Sequence, residues 1–263
     1  MAGIIEVKDL YKKFLIGKQE VEVIKGISLK ISEGDFAIIF GPSGCGKSTL
    51  LHSIIGLERP TNGTVEIEGK DIYAMSEDEM VSYRKRKVGM VFQQPIWIKS
   101  LSVLENAAVP GRLLGKTREV AEKAAWDKLT LVKLENWGNR HPSELSSGQQ
   151  QRVSLARALT IDPSVIIADE PTGNLDTVSG DELMELLGTL NKEKKVTMVM
   201  VTHDLEYLKY ATKLFHIIDG KLVEEYDQKG AYKMAAELKT KKGLRGKVTV
   251  EDSNYLSGGK LNG

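Results

Sequence analysis

Between Phe36 and Leu51 the chain reads FAIIFGPSGCGKSTLL, and no other stretch of its 263 residues restricts the fold as tightly. Phe36, Ala37, Ile38, Ile39 and Phe40 spell a buried strand, and an apolar helix begins near Ser48. Gly41, Gly44 and Gly46 punctuate the link between them. Glycine takes backbone angles that other residues resist, so successive N–H groups can face one anion while the positive end of the helix lies behind it. A chain of phosphates fits such a cradle. In the pattern Gly41-x-x-x-x-Gly46-Lys47-Ser48, Lys47 is expected to reach the outer phosphates, the Ser48 hydroxyl to ligate Mg²⁺, and Thr49 to touch the inner phosphate. Pro42, Ser43 and Cys45 fill the remaining positions of the same binding stretch.

The balance of 37 basic against 36 acidic residues gives no global attraction to nucleic acid or to an anionic membrane surface. The single cysteine, Cys45, cannot close an internal disulfide, which fits a reducing compartment. At the N-terminus, charges interrupt the apolar residues of MAGIIEVKDLYKKF, so the uninterrupted core of a signal peptide is missing. Apolar runs such as Val196 to Val201 fall far short of the roughly 20 residues of a spanning helix. The expected place is the cytoplasm.

Residues 4 to 35 alternate apolar and polar positions, clearest at Ile27 to Ile31, and read as an antiparallel β layer that Thr64 to Gly69 joins. A helix is expected over 77 to 87 and a core strand over Val88 to Phe92. From about 95 to 160 helical spacing dominates, as in Val120, Ala124, Ala125, Leu129 and Val132, which reads as a helical subdomain inserted in the sheet. Strands return at Val165 to Ala168, Val196 to Val201 and Leu214 to Ile218. The helical stretch 177 to 194 and a shorter helix near 205 to 211 separate them. That alternation predicts an α/β fold with a mostly parallel sheet covered on both faces. Asp219-Gly220 signals a two-residue hairpin. Beyond Tyr226 the core pattern stops: 227 to 263 reads as an extension, with a short helix at Ala231 to Lys242 and then a weakly ordered tail.

Val165-Ile166-Ile167-Ala168 runs into Asp169-Glu170-Pro171. An acid at the carboxyl end of a buried strand beside the phosphate-loop strand can hold Mg²⁺ through a water, and Asp169 suits that task. Glu170 would then face the terminal phosphate, where a carboxylate can orient and deprotonate an attacking water.

Six motifs follow in fixed order: the phosphate loop, Gln93 after VGMVF, Leu145-Ser146-Ser147-Gly148-Gln149, Asp169-Glu170, Asn174-Leu175-Asp176, and His203. Over about residues 4 to 226 the chain resembles the nucleotide-binding subunit of ATP-binding cassette (ABC) transporters, a P-loop NTPase fold. The LSSGQ segment narrows it from P-loop NTPases in general. The resemblance implies ATP hydrolysis in a head-to-tail dimer, each ATP held between one subunit's phosphate loop and the other's LSSGQ. Ser146, Ser147 and Gly148 head the helical stretch 149 to 159, which offers a hydroxyl and N–H groups at a helix's positive end. The motif departs from the common LSGGQ at Ser147, where a Cβ replaces a glycine. Gln93 is implied to touch Mg²⁺ and the attacking water, His203 to bond the γ-phosphate and steady Glu170, and Asp176 to sit at the dimer interface. Phe14 aligns with the family aromatic that stacks on adenine, with Tyr11 second; a core aromatic is the competing reading of Phe14. Cys45 reads either as a reactive thiol in a positive field or as a small filler. His52, His141 and His216 read as structural or loop residues.

GLERPTNG at 56 to 63, HPSEL at 141 to 145 and ADEPTGNLD at 168 to 176 resemble the branch of lipoprotein-releasing and macrolide- or peptide-exporting ATPases; the cell-division ATPase is also similar. The branch implies an integral membrane permease partner, gripped near Gln93 to Leu104, and a peripheral place on the inner face of the membrane. Two functions stand: a motor for export, extraction or mechanotransmission, or a division-type signalling scaffold that moves no solute. Lys239, Lys241, Lys242, Arg245 and Lys247 make a basic cluster, read either as a headgroup contact or as a solvated tail.

Overall fold

The computed structural model describes residues 3–242, with side chains to 237. The basic cluster of the tail and the stretch from 243, expected to be weakly ordered, lie outside the residues or side chains described. Two compact units divide the described residues, one formed by residues 3–80 with 199–242 and the other by 81–198.

In the first unit the alternating segments become two long strands, β1 (Gly3–Ile16) and β2 (Gln19–Ser32), where sequence spacing suggested shorter pieces. They pair antiparallel from Gly3↔Ser32 to Ile16↔Gln19, with register shifts that let so long a ribbon twist. Strand β4 (Asn62–Ile67) and the short β5 (Lys70–Asp71) extend this sheet in the order β2-β1-β4-β5. Its apolar face comes from Ile5, Val7, Leu10, Ile27, Leu29, Ile31 and Val65, all buried.

The same unit holds β3 (Phe36–Phe40), buried at every residue, which pairs in parallel with β9 (Lys213–Ile218) from Ala37↔Lys213 to Phe40↔His216. A type of strand buried on both faces reads as a continuous apolar run, which is why FAIIF shows no alternation. Strand β10 (Lys221–Asp227) returns antiparallel after Asp219 and Gly220, whose φ of 45° and 77° give the turn that the Asp-Gly pair signals. Helix α1 (Lys47–Ile54) follows β3, buries Leu50, Leu51 and Ile54, and begins one residue earlier than the sequence suggested. Strand β8 (Thr197–Thr202), buried throughout, flanks β3 on the side away from β9. The short helix after it is a 3-10 helix, Leu205–Tyr210, capped by Asp204. The C-terminal helix runs from Gln228 to Lys242, three residues longer at its start than expected, and buries Ala231, Met234 and Ala235 at helical spacing.

In the second unit β6 (Val88–Val91) and β7 (Val165–Asp169) pair in parallel, Val88↔Val165 to Val91↔Ala168. Helix α2 (Glu77–Lys87) leads into β6. Helices α3 (Val103–Leu113), α4 (Arg118–Leu131) and α5 (Ser147–Leu159) pack on one another, and α5 also packs on β6 and on α6 (Thr177–Lys194). Ser102, Thr117, Ser146 and Asp176 cap α3 to α6 with side-chain oxygens, each accepting the N–H three residues on. The stripe expected on α4 is corrected by one position: Ala121, Ala125, Leu129 and then Val132 are buried, whereas Val120 is 53% exposed. Glycine at 89 lets α5 approach β6, since a Cβ there would lie 2.6 Å from the Ala158 carbonyl oxygen. Among the described residues no helix is long and apolar enough to cross a membrane.

Candidate functional site

The expected site residues fall into two sets, one in each unit. The first holds Phe14, the loop from Gly41 to Thr49, and His203; the second holds Gln93, Ser146 to Gln149, Asp169, Glu170 and Asp176.

The loop is shaped by backbone contacts that leave no space for side chains. Gly41 has φ of 155°, and a Cβ on it would sit 2.1 Å from the carbonyl oxygen of Ile217. Gly46, at φ 100°, would place a Cβ 2.9 Å from the Val23 carbonyl oxygen and from Ile24 Cδ1. Gly220 N–H donates to the Cys45 carbonyl at 3.0 Å, and Lys25 N–H to the Gly220 carbonyl at 2.8 Å, so the β9–β10 turn ties the loop to β2. Gly44 differs: its φ is 79° and nothing lies within 4 Å of a Cβ. Lys47 is buried, and its ammonium donates to the carbonyls of Gly41 and Pro42, both at 2.9 Å. Helix α1 has Gly46 at its cap and no side-chain cap, so the N–H groups of its first turn remain turned into the loop. Ser48 and Thr49 are half-buried, and Ser43 and Gly44 are exposed.

Cys45 is 5% exposed. Burial pushes its thiol pKa up, with the charge of Lys47 opposing, so the reactive-thiolate reading gives way to that of a small filler. Phe14 is half-buried, pairs across the ribbon with Val21, and carries the Lys12 ammonium 4.7 Å from its ring centroid. It is no core aromatic. Tyr11 is exposed, with its hydroxyl over Gly26, where a Cβ would lie 2.7 Å from it. His203 follows the last residue of β8 and is half-buried. His216 is fully buried and stacked on Phe40 at 4.3 Å, inside the sheet as its strand pattern indicated.

In the second unit Asp169 is the last residue of β7 and Glu170, the next, adopts φ of 45°. A non-glycine residue there is strained by about 1 kcal/mol or more, and such strain gathers at functional positions. Both carboxylates are half-buried. A tight turn follows, closed by Gly173 N–H on the Glu170 carbonyl at 3.0 Å. The Gln93 side chain lies on that turn: a Cβ on Gly173 would meet Gln93 Nε2 at 2.7 Å, and Asn174 Nδ2 donates to the Gln93 carbonyl at 3.4 Å.

At the head of α5 the capping box is complete. Ser146 Oγ accepts the Gln149 N–H at 3.3 Å and Gln149 Oε1 accepts the Ser146 N–H at 2.9 Å. Ser146 and Ser147 are exposed, and Gly148 is buried because a Cβ would strike Ser179 of α6 at 2.7 Å. Ser179 in turn donates its hydroxyl to Asp176 at 2.7 Å and its N–H at 3.0 Å, which holds the Asp176 carboxyl below its usual range. LSSGQ and Asp176 are thus joined through one serine.

Sequence reasoning missed three contributors: Gly173, Ser179 and Gln151. Gln151 left a signal, a polar residue on the helical stripe 148-151-155-158 that is otherwise small or apolar.

Residues 24–173 match the family model described as ABC transporter. A lipoprotein-releasing system ATP-binding protein, LolD of Geobacter metallireducens, is 39% identical over 86% of this chain and 100% of its own length. The macrolide export ATP-binding/permease protein MacB of Syntrophobacter fumaroxidans is 39% identical over 84% of this chain, which spans 31% of that longer protein. Among solved structures, the ATP-binding cassette MJ0796 of Methanocaldococcus jannaschii, a dimer in a post-hydrolysis state bound to ADP and Pi, superposes with a TM-score of 0.78 at 38% identity, covering 85% of this chain and 98% of that one. The fold that carries this loop is that of an ABC cassette, and the chain belongs to the ABC transporter family, as an ATP-hydrolysing nucleotide-binding subunit of the LolD/MacB branch.

Proposed function

We propose that two copies of this chain pair head to tail and hydrolyse Mg-ATP at two composite sites, driving a separate membrane subunit. The observation that carries the reading is the head of α5, where a complete capping box fixes Ser146 and the serine pair stays on the surface. Its hydroxyl oxygen accepts from Gln149, which leaves the O–H to donate, and the N–H groups of Ser147 and Gly148 precede the first intrahelical acceptor. A second subunit's triphosphate would use all three donors. The dimeric state of the MJ0796 cassette supports the pairing.

In this reading Lys47 and the loop amides offset the charge of the phosphates, and Phe14 supports the adenine. Hydroxyl, carboxamide and carboxylate oxygens are hard donors of the kind Mg²⁺ takes, so Ser48, Gln93 and Asp169 would hold it together with phosphate oxygens and waters. When bound, Mg²⁺ supplies neutralisation of charge on the phosphates. Glu170, fixed at the end of β7, takes the proton of the attacking water, and His203 steadies the terminal phosphate and Glu170. Asp176 presents the interface beside LSSGQ.

A mostly apolar groove of about 340 Å³ lined by Ile96, Val109, Pro110, Leu113 and Arg157 lies in the second unit, with Ile96 71% exposed. Exposed apolar residues clustered at a groove suit a partner helix, here of an integral membrane permease, and they extend the surface expected near Gln93 to Leu104. The chain then works at the cytoplasmic face of the membrane, by export, extraction or mechanotransmission. Glu170→Gln tests the chemistry: ATP binding persists, hydrolysis falls at least a hundredfold, and ATP drives the variant into dimers on size exclusion. Hydrolysis at the wild-type rate would remove Glu170 from the reaction. Capture of that variant with ATP from membranes, followed by an ATPase assay with the captured permease, separates motor from division-type scaffold.

A further inference from the structure

Gln151 lies one and a half turns into α5 and is 1% exposed. Its Nε2 donates to the carbonyl of Phe92 at 2.7 Å and to that of Pro171 at 2.8 Å. A carboxamide nitrogen has two protons, and both are engaged. Phe92 precedes Gln93, and Pro171 follows Glu170. One side chain of the LSSGQ-headed helix therefore clasps the two backbone segments that carry the residues assigned to water positioning and proton removal. Its Oε1 is buried and meets no donor among the described residues. An apolar side chain of the same length would leave both carbonyls without this donor, so the glutamine is what ties the two segments to α5.

Helix α5 grips the same segment twice more. Trp97 Nε1 donates to Gln150 Oε1 at 2.8 Å, and Arg157 donates to the Ile96 carbonyl at 2.6 Å while stacking on the Trp97 ring at 4.7 Å. These contacts lie farther from Gln93, and of the three α5 side chains Gln150, Gln151 and Arg157 only Gln151 bonds to both segments. Along the helix, Gln151 stands about 7 Å from Ser146 at 1.5 Å per residue, so a push on the head of α5 is delivered to both carbonyls by a rigid rod.

We propose that Gln151 is a positioning residue that holds Gln93 and Glu170 in mutual register and moves them together when the head of α5 is engaged. The proposal rests on the roles given to Gln93 and Glu170 above.

The test measures ATP hydrolysis and binding of a fluorescent ATP analogue by the full chain, with thermal unfolding in parallel. Gln151→Met keeps length and helix propensity but has no donor; kcat is expected to fall at least tenfold while KM for ATP stays within twofold. Gln151→Glu sets a carboxylate against two carbonyl oxygens, so kcat is expected to fall further at pH 8 and to recover on acidification relative to wild type, as the introduced carboxyl gains a proton to donate. Should Gln151→Met fail to fold, Gln151→His, which keeps one ring N–H, is expected to show the same kcat loss in smaller measure. A folded variant of either kind with kcat within twofold of wild type, or a lowered melting point as the only change, overturns the proposal. Glu170→Gln in the same assay separates the two failures: if it still hydrolyses ATP, the reading of Glu170 falls, and if it is inactive while Gln151→Met is normal, only the clasp falls.

Discussion

The heads of α1 and α5 offer backbone N–H groups in opposite ways. At α1 the cap is Gly46 with no side-chain hydrogen bond, and the loop before it is held by contacts of Gly41 and Gly46 with the carbonyls of Ile217 and Val23. At α5 a serine and a glutamine close a reciprocal box, and the one critical glycine, Gly148, is needed only because α6 lies close. A site that surrounds its ligand needs unusual backbone angles and rigid walls. A site that meets its ligand across an interface needs an ordinary capped helix with its head kept on the surface. Loss of glycine should therefore be catastrophic in the first and repairable in the second.

The largest effect is expected at Gly41. Gly41→Ala drives a Cβ to 2.1 Å from a backbone oxygen that cannot rotate away, so the loop and the β9–β10 turn must part, at a cost of about 3 kcal/mol or more. Denaturant unfolding should show that loss, and ATP binding should disappear. Gly44→Ala meets open space and has only its φ of 79° to oppose it, about 1 kcal/mol. Equal losses for the two would mean that conformational freedom, not the approach of Ile217, is what the loop requires.

The loop-bearing half should also be the acid-sensitive one. His216 pairs with Phe40 at the end of β3, one residue before the Ile217 carbonyl that abuts Gly41, and burial lowers its pKa from 6.5 to about 4. The Glu224 carboxylate 3.7 Å from Nδ1 would favour the charged ring, yet burial prevails. The unfolded chain therefore binds a proton between pH 6.5 and 4 that the folded chain refuses. Stability from this residue is complete above about 6.5 and lost as pH falls toward 4, up to about 3 kcal/mol at about 1.4 kcal/mol per pH unit. His216→Phe, which can stack on Phe40 in the same way, should flatten that slope in unfolding measured from pH 7.5 to 4.5. Equal slopes in the two proteins would assign the acid sensitivity elsewhere.

At α5 the expected damage is smaller and has a remedy. Gly148→Ala pushes against Ser179 at 2.7 Å, and α6 must yield by about 1 Å, for about 2 kcal/mol. Ser179→Gly removes the opposing side chain, so the double variant should regain most of the stability and, in the Glu170→Gln background, the ATP-driven dimer. If the double variant folds without dimerising, the Ser179 to Asp176 link matters more than the helix spacing.

The difference between the two heads also explains what the sequence disclosed. The phosphate loop was legible because its three glycines, all at positive φ, recur at a fixed short spacing, even though the carbonyls that crowd Gly41 and Gly46 come from the distant Ile217 and Val23. Strand β3, uniform in its burial, was equally plain. The single-position error on α4 arose because Val120 is apolar by composition while helix geometry turns it outward. Gln151 and Ser179 stayed hidden for a different reason: their roles come from segments 59 and 31 residues away, at Phe92 and Gly148, and no short-range pattern encodes a side chain's distant partner. Phe14 read as the adenine-facing aromatic with a core position as the competing reading, since an aromatic at the end of a twisted ribbon obeys either periodicity; it is half-buried, with Lys12 over its ring.

The smallest effect sharpens the contrast most. Ser147 is exposed at the first position of α5, where its Cβ meets solvent rather than α6. Ser147→Gly should cost only about 0.5 kcal/mol in folding, the ordinary entropic difference of a glycine near a helix end. If α5 meets a second subunit's phosphate, removing that Cβ widens the approach to the N–H groups of Ser147 and Gly148, and in the Glu170→Gln background the ATP-driven dimer should form at a severalfold lower protein concentration. A dimer that forms at the same concentration would show that the Ser147 side chain faces away from the bound nucleotide. A weaker dimer would show that its hydroxyl is itself a phosphate donor, and the α5 head would then resemble α1 more closely than its capping suggests.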